Sequence, residues 1–121
     1  MEPLSKEKQL HNLKVWVQAL RSGKYRQTQG RLKDDKGYCG LGVAHDLIPG
    51  CEWIQGESAF IPFDCRVFGK TIIGRQIESE ALEKFFGLSQ EEMLNLVHNN
   101  DHGKDFRWIA DYIENEIIAK R

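Results

Sequence analysis

The 121-residue sequence has no apolar run near the ~20 residues that a membrane-spanning helix requires. Its first ten residues, MEPLSKEKQL, lack the apolar stretch of a secretory signal peptide. Hydrophobic residues make up 40% and charged residues 29%, a balance that argues against a disordered chain. We therefore expect a single globular domain over residues 1–121, located in the cytoplasm and without membrane attachment.

Cysteines are few and follow no recognised pattern. The three residues are Cys39, Cys51 and Cys65, so the count is odd and no CxxC pair occurs. A disulfide framework is not expected from such a set. Four histidines accompany the cysteines, but their spacing matches no known zinc site. We predict neither a metal site nor a bound cofactor.

The net charge of −1 conceals an uneven distribution. Residues 1–40 carry nine Lys and Arg against four Asp and Glu, a balance of +5, and the remaining chain carries −6. A basic N-terminal third can meet an anionic partner. The acidic remainder disfavours general wrapping of nucleic acid, which is therefore not the expected partner.

The first half of the chain is predicted to begin with a helix. Residues 5–22 place apolar side chains at helical spacing, with Ser5 as the N-cap and Gly23 just beyond the end. Residues 25–32 then predict a strand with a bulge at Gly30. The stretch LGVAHDLI predicts a short helix that ends at the following Pro-Gly pair.

The second half predicts a sheet and then helices. CEWI, AFIPF and CRVFGKTII are rich in β-branched and aromatic residues, which favours a small antiparallel sheet. SEALEKFFG and QEEMLNLV predict two helices, the second opened by a capping box of Ser89 and Glu92. A loop, HNNDHGK, leads to a final helix capped by Asp105. We expect Asn100 and Asp101 to shape that loop through side-chain hydrogen bonds to the backbone.

These elements define the expected fold class, which is α+β with an N-terminal helix, a small antiparallel sheet and a C-terminal helical hairpin. Phe106, Ile109, Ile113 and Ile117 recur on one face of the last helix. We expect Phe106 and Ile109 to share one core with Trp16 of the first helix.

Cys39 is a candidate nucleophile, because a helix N-terminus lowers the pKa of a thiol. Papain-like hydrolases place a glutamine upstream and a histidine downstream of their cysteine. Gln27 or Gln29 and His98 or His102 follow that order here. The alternative is that Cys39 is a small buried residue. We expect Cys39 to be buried and inert, so that no catalytic residue is assigned.

The segment SGKYRQTQGRLKDDK is the candidate binding site. Arginine can contact phosphate through two N–H groups, glutamine can read a base edge and tyrosine can stack on a ring. The predicted binding residues are Tyr25, Arg26, Gln27, Gln29, Arg31 and Lys33. Their partner would be an acidic protein surface or an anionic nucleotide, with Arg26 and Arg31 on the same side. The alternative is a solvated hairpin whose charges prevent edge-to-edge aggregation.

Residues 88–114 superficially resemble a helix-turn-helix. The second helix would carry Asp111, Glu114 and Glu116, whereas a recognition helix needs a basic outer face. We therefore favour a helical hairpin, and a DNA-binding regulator is only a third alternative.

Two stretches resemble a family of small proteins from tailed phages and prophages. WVQALRSGKYRQTQGRLKDDKGYCGLGV is similar to the family pattern W-x-x-A-L-R-S-G-x-Y-x-Q-x-x-G-x-L followed by an aromatic residue, Cys, an optional second Cys and L-G-V. NDHGKDFRWIADYIE is similar to its closing N-D-x-G-x-x-F-x-x-I-A-D-x-I-E. Gly40 stands where members often carry the second cysteine.

The resemblance implies an accessory protein of a mobile element. Small phage accessory proteins often antagonise host defence by binding an immune protein or by capturing a nucleotide signal. The expected function is therefore a phage-encoded binding protein that counters a host defence factor. A cysteine hydrolase using Cys39 is the first alternative, and homo-oligomerisation is left open.

Overall fold

The computed structural model describes residues 2–56, 63–74 and 79–121. Within these ranges the α+β class is confirmed, with helices at both ends of the chain and a three-stranded antiparallel sheet between them. The elements are α1 Lys6–Arg21, α2 Gly40–Asp46, β1 Glu52–Gln55, β2 Phe63–Val67, β3 Lys70–Ile72, α3 Glu80–Phe86, α4 Gln90–Asp101 and α5 Phe106–Tyr112. Helix α5 continues into a π-helical turn, Ile113–Ile117, and a 3₁₀ turn, Ile118–Lys120. None of the described helices is long and apolar enough to span a membrane.

Helix α1 begins and ends where its sequence predicts. The Ser5 hydroxyl accepts a hydrogen bond from the Lys8 N–H at 3.3 Å, and Gly23 follows the helix with a φ of 77°. Trp16 is fully buried and stacks at a tilt on Phe86, with ring centroids 5.2 Å apart. Its indole Nε1–H donates to the Gly40 carbonyl at 3.1 Å, which satisfies the polar atom of a large buried ring.

The small sheet has the order β1-β2-β3, with Trp53 opposite Cys65 and Cys65 opposite Ile72. Phe68 and Gly69 form the turn between β2 and β3, and both have positive φ, as a tight two-residue hairpin requires. The CEWI and CRVFGKTII predictions are thereby confirmed. The AFIPF prediction lies outside the described residues except for Phe63, which begins β2.

One hydrophobic core joins the two ends of the chain. Trp16, Phe106 and Ile109 belong to the same buried cluster, as predicted. Ile113 and Ile117 extend the buried face of the last helix. Because these side chains come from α1, from α5 and from the π-helical turn that continues α5, the core holds the first helix against the last.

Helix α4 is longer than its sequence predicts. The capping box is confirmed, because the Ser89 hydroxyl accepts from the Glu92 N–H and the Glu92 carboxylate accepts from the Ser89 N–H. However, the helix runs on to Asp101, so the first residues of HNNDHGK are helical and their prediction as a loop is wrong. Asn100, in the last turn of this helix, is 1% exposed, and its side chain forms tertiary hydrogen bonds.

The strand predicted over residues 25–32 is wrong. Only isolated bridges occur in this described part of the chain, which pair Gln27 and Lys33 with Tyr38. Gly30 has a φ of 79°, a conformation that turns the backbone out of an extended path. Side chains of α4 bond the polar backbone groups that a partner strand would otherwise use, as described below.

Candidate binding loop

Residues 24–38, here called the basic loop, fold back on themselves around the backbone of Tyr38. The Tyr38 N–H donates to the Arg26 carbonyl, and the Tyr38 carbonyl accepts from the Thr28 N–H, both at 2.8 Å. The Cys39 N–H then donates to the Leu32 carbonyl at 3.0 Å. These bonds give an irregular loop a defined shape without a regular strand.

The C-terminal end of α4 holds the basic loop. Asn100 Oδ1 accepts hydrogen bonds from the Gly40 N–H at 3.1 Å and from Gln27 Nε2 at 2.8 Å. Asn100 Nδ2 donates to the Thr28 carbonyl, 72 residues earlier in the chain, at 2.9 Å. Asp101 Oδ1 accepts from the Gly30 N–H at 2.9 Å.

These contacts change the interpretation of Asn100 and Asp101. Both bond to backbone groups, as predicted, but the loop that they shape is the basic loop and not their own. The stretches WVQALRSGKYRQTQGRLKDDKGYCGLGV and NDHGKDFRWIADYIE therefore meet in space at this point. A single-sequence analysis carries no signal for that pairing, because the partners are far apart in the chain.

A second clamp lies at Asp34, which is 8% exposed. One carboxylate oxygen accepts from the N–H groups of Lys36 and Gly37, and the other accepts from the Thr28 hydroxyl and from Arg31 Nη1. Burial opposes the charged carboxylate, but these four donors outweigh it, so the pKa of Asp34 is lowered. The carboxylate therefore stays charged and closes the KDDKG turn.

Aromatic rings support the loop from the side of the sheet. The Tyr25 and Tyr38 rings meet edge to face with centroids 5.1 Å apart, and Tyr38 meets Trp53 of β1 at 5.8 Å. Asp46 accepts from the Tyr25 hydroxyl at 2.6 Å and from Trp53 Nε1 at 2.9 Å. Burial, followed by this bond to Asp46, raises the pKa of Tyr25. Tyr25 is thus a supporting residue of the loop.

The predicted binding residues fall into two groups. Four of them bond within the protein through their side chains: Tyr25 to Asp46, Gln27 to Asn100, Arg31 to Asp34, and Lys33 to the Tyr38 hydroxyl. Lys33 Nζ also lies 4.4 Å from the centre of the Tyr38 ring. The side chains of Arg26 and Gln29 are exposed to solvent. These two are the residues of the set most accessible to a partner.

An open groove of about 760 Å³ runs beside the basic loop, between the end of α1 and the start of α5. Its lining includes Tyr25 and Gln27 from the predicted set. It also includes Arg21, Asp105, Phe106, Arg107 and Asp111, which sequence patterns did not associate with the loop. Arg21 is an ion-pair partner of Asp111, at 2.5 Å, and of Glu114. The groove therefore carries both signs of charge.

Cys39 is 5% exposed, so its predicted burial is confirmed. Its Sγ accepts a hydrogen bond from the Gly42 N–H at 3.3 Å and caps α2. Burial raises the pKa of the Cys39 thiol to about 12, despite its place at a helix N-terminus. Desolvation of the thiolate thus outweighs the helix dipole at this position.

His102, named above as a possible partner of Cys39, has contacts of its own. Its Nδ1 lies 2.7 Å from the His98 carbonyl, and its ring stacks on the ring of His98 with centroids 4.1 Å apart. Across residues 2–56, 63–74 and 79–121, no three His, Cys, Asp or Glu side chains come close enough together to hold a metal ion.

Comparison with known protein families gives a match in the first half of the chain. The pattern of a protein family described as a domain of unknown function (DUF8296) matches residues 8–60, a stretch that contains most of α1 and all of the basic loop, α2 and β1. The chain is similar to that family over less than half of its length. No curated protein matches the chain. No solved structure matches it.

Proposed function

We propose that the protein is an accessory binding protein of a phage or prophage that counters a host defence factor in the host cytoplasm. The observation that supports a binding role best is the clamping of the basic loop by Asn100, Asp101 and Asp34. A loop that is already ordered loses little conformational entropy on binding, which leaves more of the contact energy as affinity. The assignment to host defence derives from the resemblance to phage proteins.

The partner that fits the surface best is an acidic protein. Lys24, Arg26 and Lys36 are exposed on the basic loop. The adjoining groove places Asp105 and Asp111 beside Arg21 and Arg107, so its mixed charge can pair with a protein surface that carries both signs but offers no concentrated positive site for the phosphates of a nucleotide. Contacts between exposed charges of opposite sign weaken as salt is added, so the interaction is expected to be salt-sensitive.

The hydrolase alternative has less support. A nucleophilic cysteine needs an accessible thiolate near neutral pH. Cys39 is buried with its pKa raised to about 12, and its sulfur acts as a helix cap.

The test is affinity capture from host cells with the intact protein, followed by mass spectrometry of bound proteins and of small molecules released on denaturation. The loop variant is Arg26→Ala with Gln29→Ala. The matched control is Lys14→Ala with Gln18→Ala, because both of these residues are exposed on α1. Each lost charge-assisted contact is worth about 1.5–3 kcal/mol when desolvated, so the loop variant should bind the captured protein at least tenfold more weakly.

The control variant should bind as the parent does, and both variants should keep the parent melting temperature. Equal binding by the loop variant and the control would remove the basic loop from the proposal. Release of an anionic small molecule in stoichiometric amount would indicate that the partner is a nucleotide and not a protein.

A further inference from the structure

Two of the three cysteines meet beside the sheet. Cys51 immediately precedes β1, and Cys65 lies in the central strand β2 opposite Trp53. Their sulfur atoms are 3.2 Å apart, and both are free thiols. Sequence spacing gave no reason to pair them, because their proximity depends on the register of β1 against β2.

The two thiols differ in accessibility. Cys51 is partly exposed, whereas Cys65 is 0% exposed. The hydrogen bond between the two sulfur atoms lowers the pKa of Cys51, because a thiolate there can accept a hydrogen bond from the Cys65 S–H. The same hydrogen bond, followed by burial, raises the pKa of Cys65. An oxidant can therefore reach the thiol that ionises more easily, with a second thiol already in contact behind it.

We propose that Cys51 and Cys65 form a reversible disulfide bond when the protein meets a hydroperoxide. The Cys51 thiolate attacks one oxygen of hydrogen peroxide, so that an S–O bond forms, the O–O bond breaks, and the released hydroxide takes up a proton to become water. The Cys65 thiol then attacks the sulfenic sulfur. The S–S bond forms, the S–O bond breaks, and a second water leaves with the Cys65 proton.

Two thiols are oxidised by two electrons in this sequence, and one peroxide is reduced to two waters. A small-molecule thiol reverses the reaction by thiol–disulfide exchange. The bridge closes the segment from Cys51 to Cys65, which contains Trp53. Trp53 shares the Asp46 carboxylate with Tyr25 of the basic loop. Oxidation should therefore restrict the motion of the part of the sheet that supports the basic loop.

The first measurement uses the parent protein treated with hydrogen peroxide, then denatured and alkylated. Of its three thiols, one should remain, and peptide mapping should find Cys51 linked to Cys65. The melting temperature should rise, since a cross-link restricts the unfolded chain. Dithiothreitol should restore both the three thiols and the original melting temperature.

Matched variants separate this pair from general thiol oxidation. Cys39→Ser keeps the pair and should still form the bridge, since serine is also a good helix cap. Cys51→Ser and Cys65→Ser should form no bridge within one chain. Peptide mapping of the oxidised parent protein tests the proposed disulfide even if Cys65→Ser does not fold. Three unreacted thiols after peroxide treatment, or a linkage that includes Cys39, would overturn the proposal.

Discussion

Replacement of Asn100 by alanine tests how the basic loop obtains its shape. The change removes the acceptor for the Gly40 and Gln27 N–H groups and the donor to the Thr28 carbonyl. Gly40 is buried, and its N–H lies at the start of α2, where no helical carbonyl is available. That donor therefore loses its only described hydrogen-bond partner.

A buried donor or acceptor without a partner costs about 1–3 kcal/mol. The unpaired Gly40 N–H should cost this full amount. Water can reach the half-buried Gln27 and Thr28, which reduces the cost of their lost hydrogen bonds. We expect Asn100→Ala to lower the free energy of unfolding by about 2–4 kcal/mol.

The measurement is a urea titration of Asn100→Ala beside Asn99→Ala. Asn99 is the adjacent residue, and its Nδ2 donates within α4, to the Asn95 carbonyl at 2.8 Å. The control should change the free energy of unfolding by no more than about 0.5 kcal/mol. Hydrogen exchange of residues 26–38 should also accelerate in Asn100→Ala alone. An equal loss of unfolding free energy in the two variants would show that the tertiary hydrogen bonds of Asn100 do not hold the basic loop.

Further expected outcomes concern the core and its titratable groups. Trp16→Ala should cost about 3–5 kcal/mol in urea titrations, because the cavity left by a fully buried indole cannot close; unchanged stability would show an exposed ring. Burial lowers the pKa of His45 to about 4, so the unfolded chain, with an ordinary pKa of 6.5, takes up its proton first as pH falls. Stability should therefore drop by about 3 kcal/mol between pH 6.5 and 4 at 1.36 kcal/mol per pH unit, and His45→Gln should remove much of this slope. Cys39 should resist iodoacetamide in the native protein at neutral pH, whereas rapid labelling would revive the hydrolase alternative.

Local patterns predicted the parts of this fold that local forces decide. Ser5, Ser89 and Asp105 cap their helices as their sequences indicate, because a cap bonds within three residues of itself. The apolar stripes of α1 and of the last helix could also be predicted, because the spacing that defines a stripe is local. Each periodic stripe defines one buried face, whatever it packs against.

The basic loop and the thiol pair could not be derived in this way. Residues 25–32 alternate enough to suggest a strand, but the bonds that decide their path come from Asn100 and Asp101. The approach of Cys51 to Cys65 depends on strand register. Both features depend on tertiary contacts that one sequence does not reveal.

Helix α2 has a consequence for how this protein can vary among relatives. Six of its seven residues are buried, and only Asp46 is partly exposed. A Cβ atom at Gly42 would collide with the Leu32 carbonyl, so no larger residue fits there without movement of the backbone. An ordinary surface helix can change half of its positions freely, but this one has no solvent face on which substitutions can accumulate. We expect residues 41–45 to be the slowest-changing stretch of the chain in any lineage that keeps this fold.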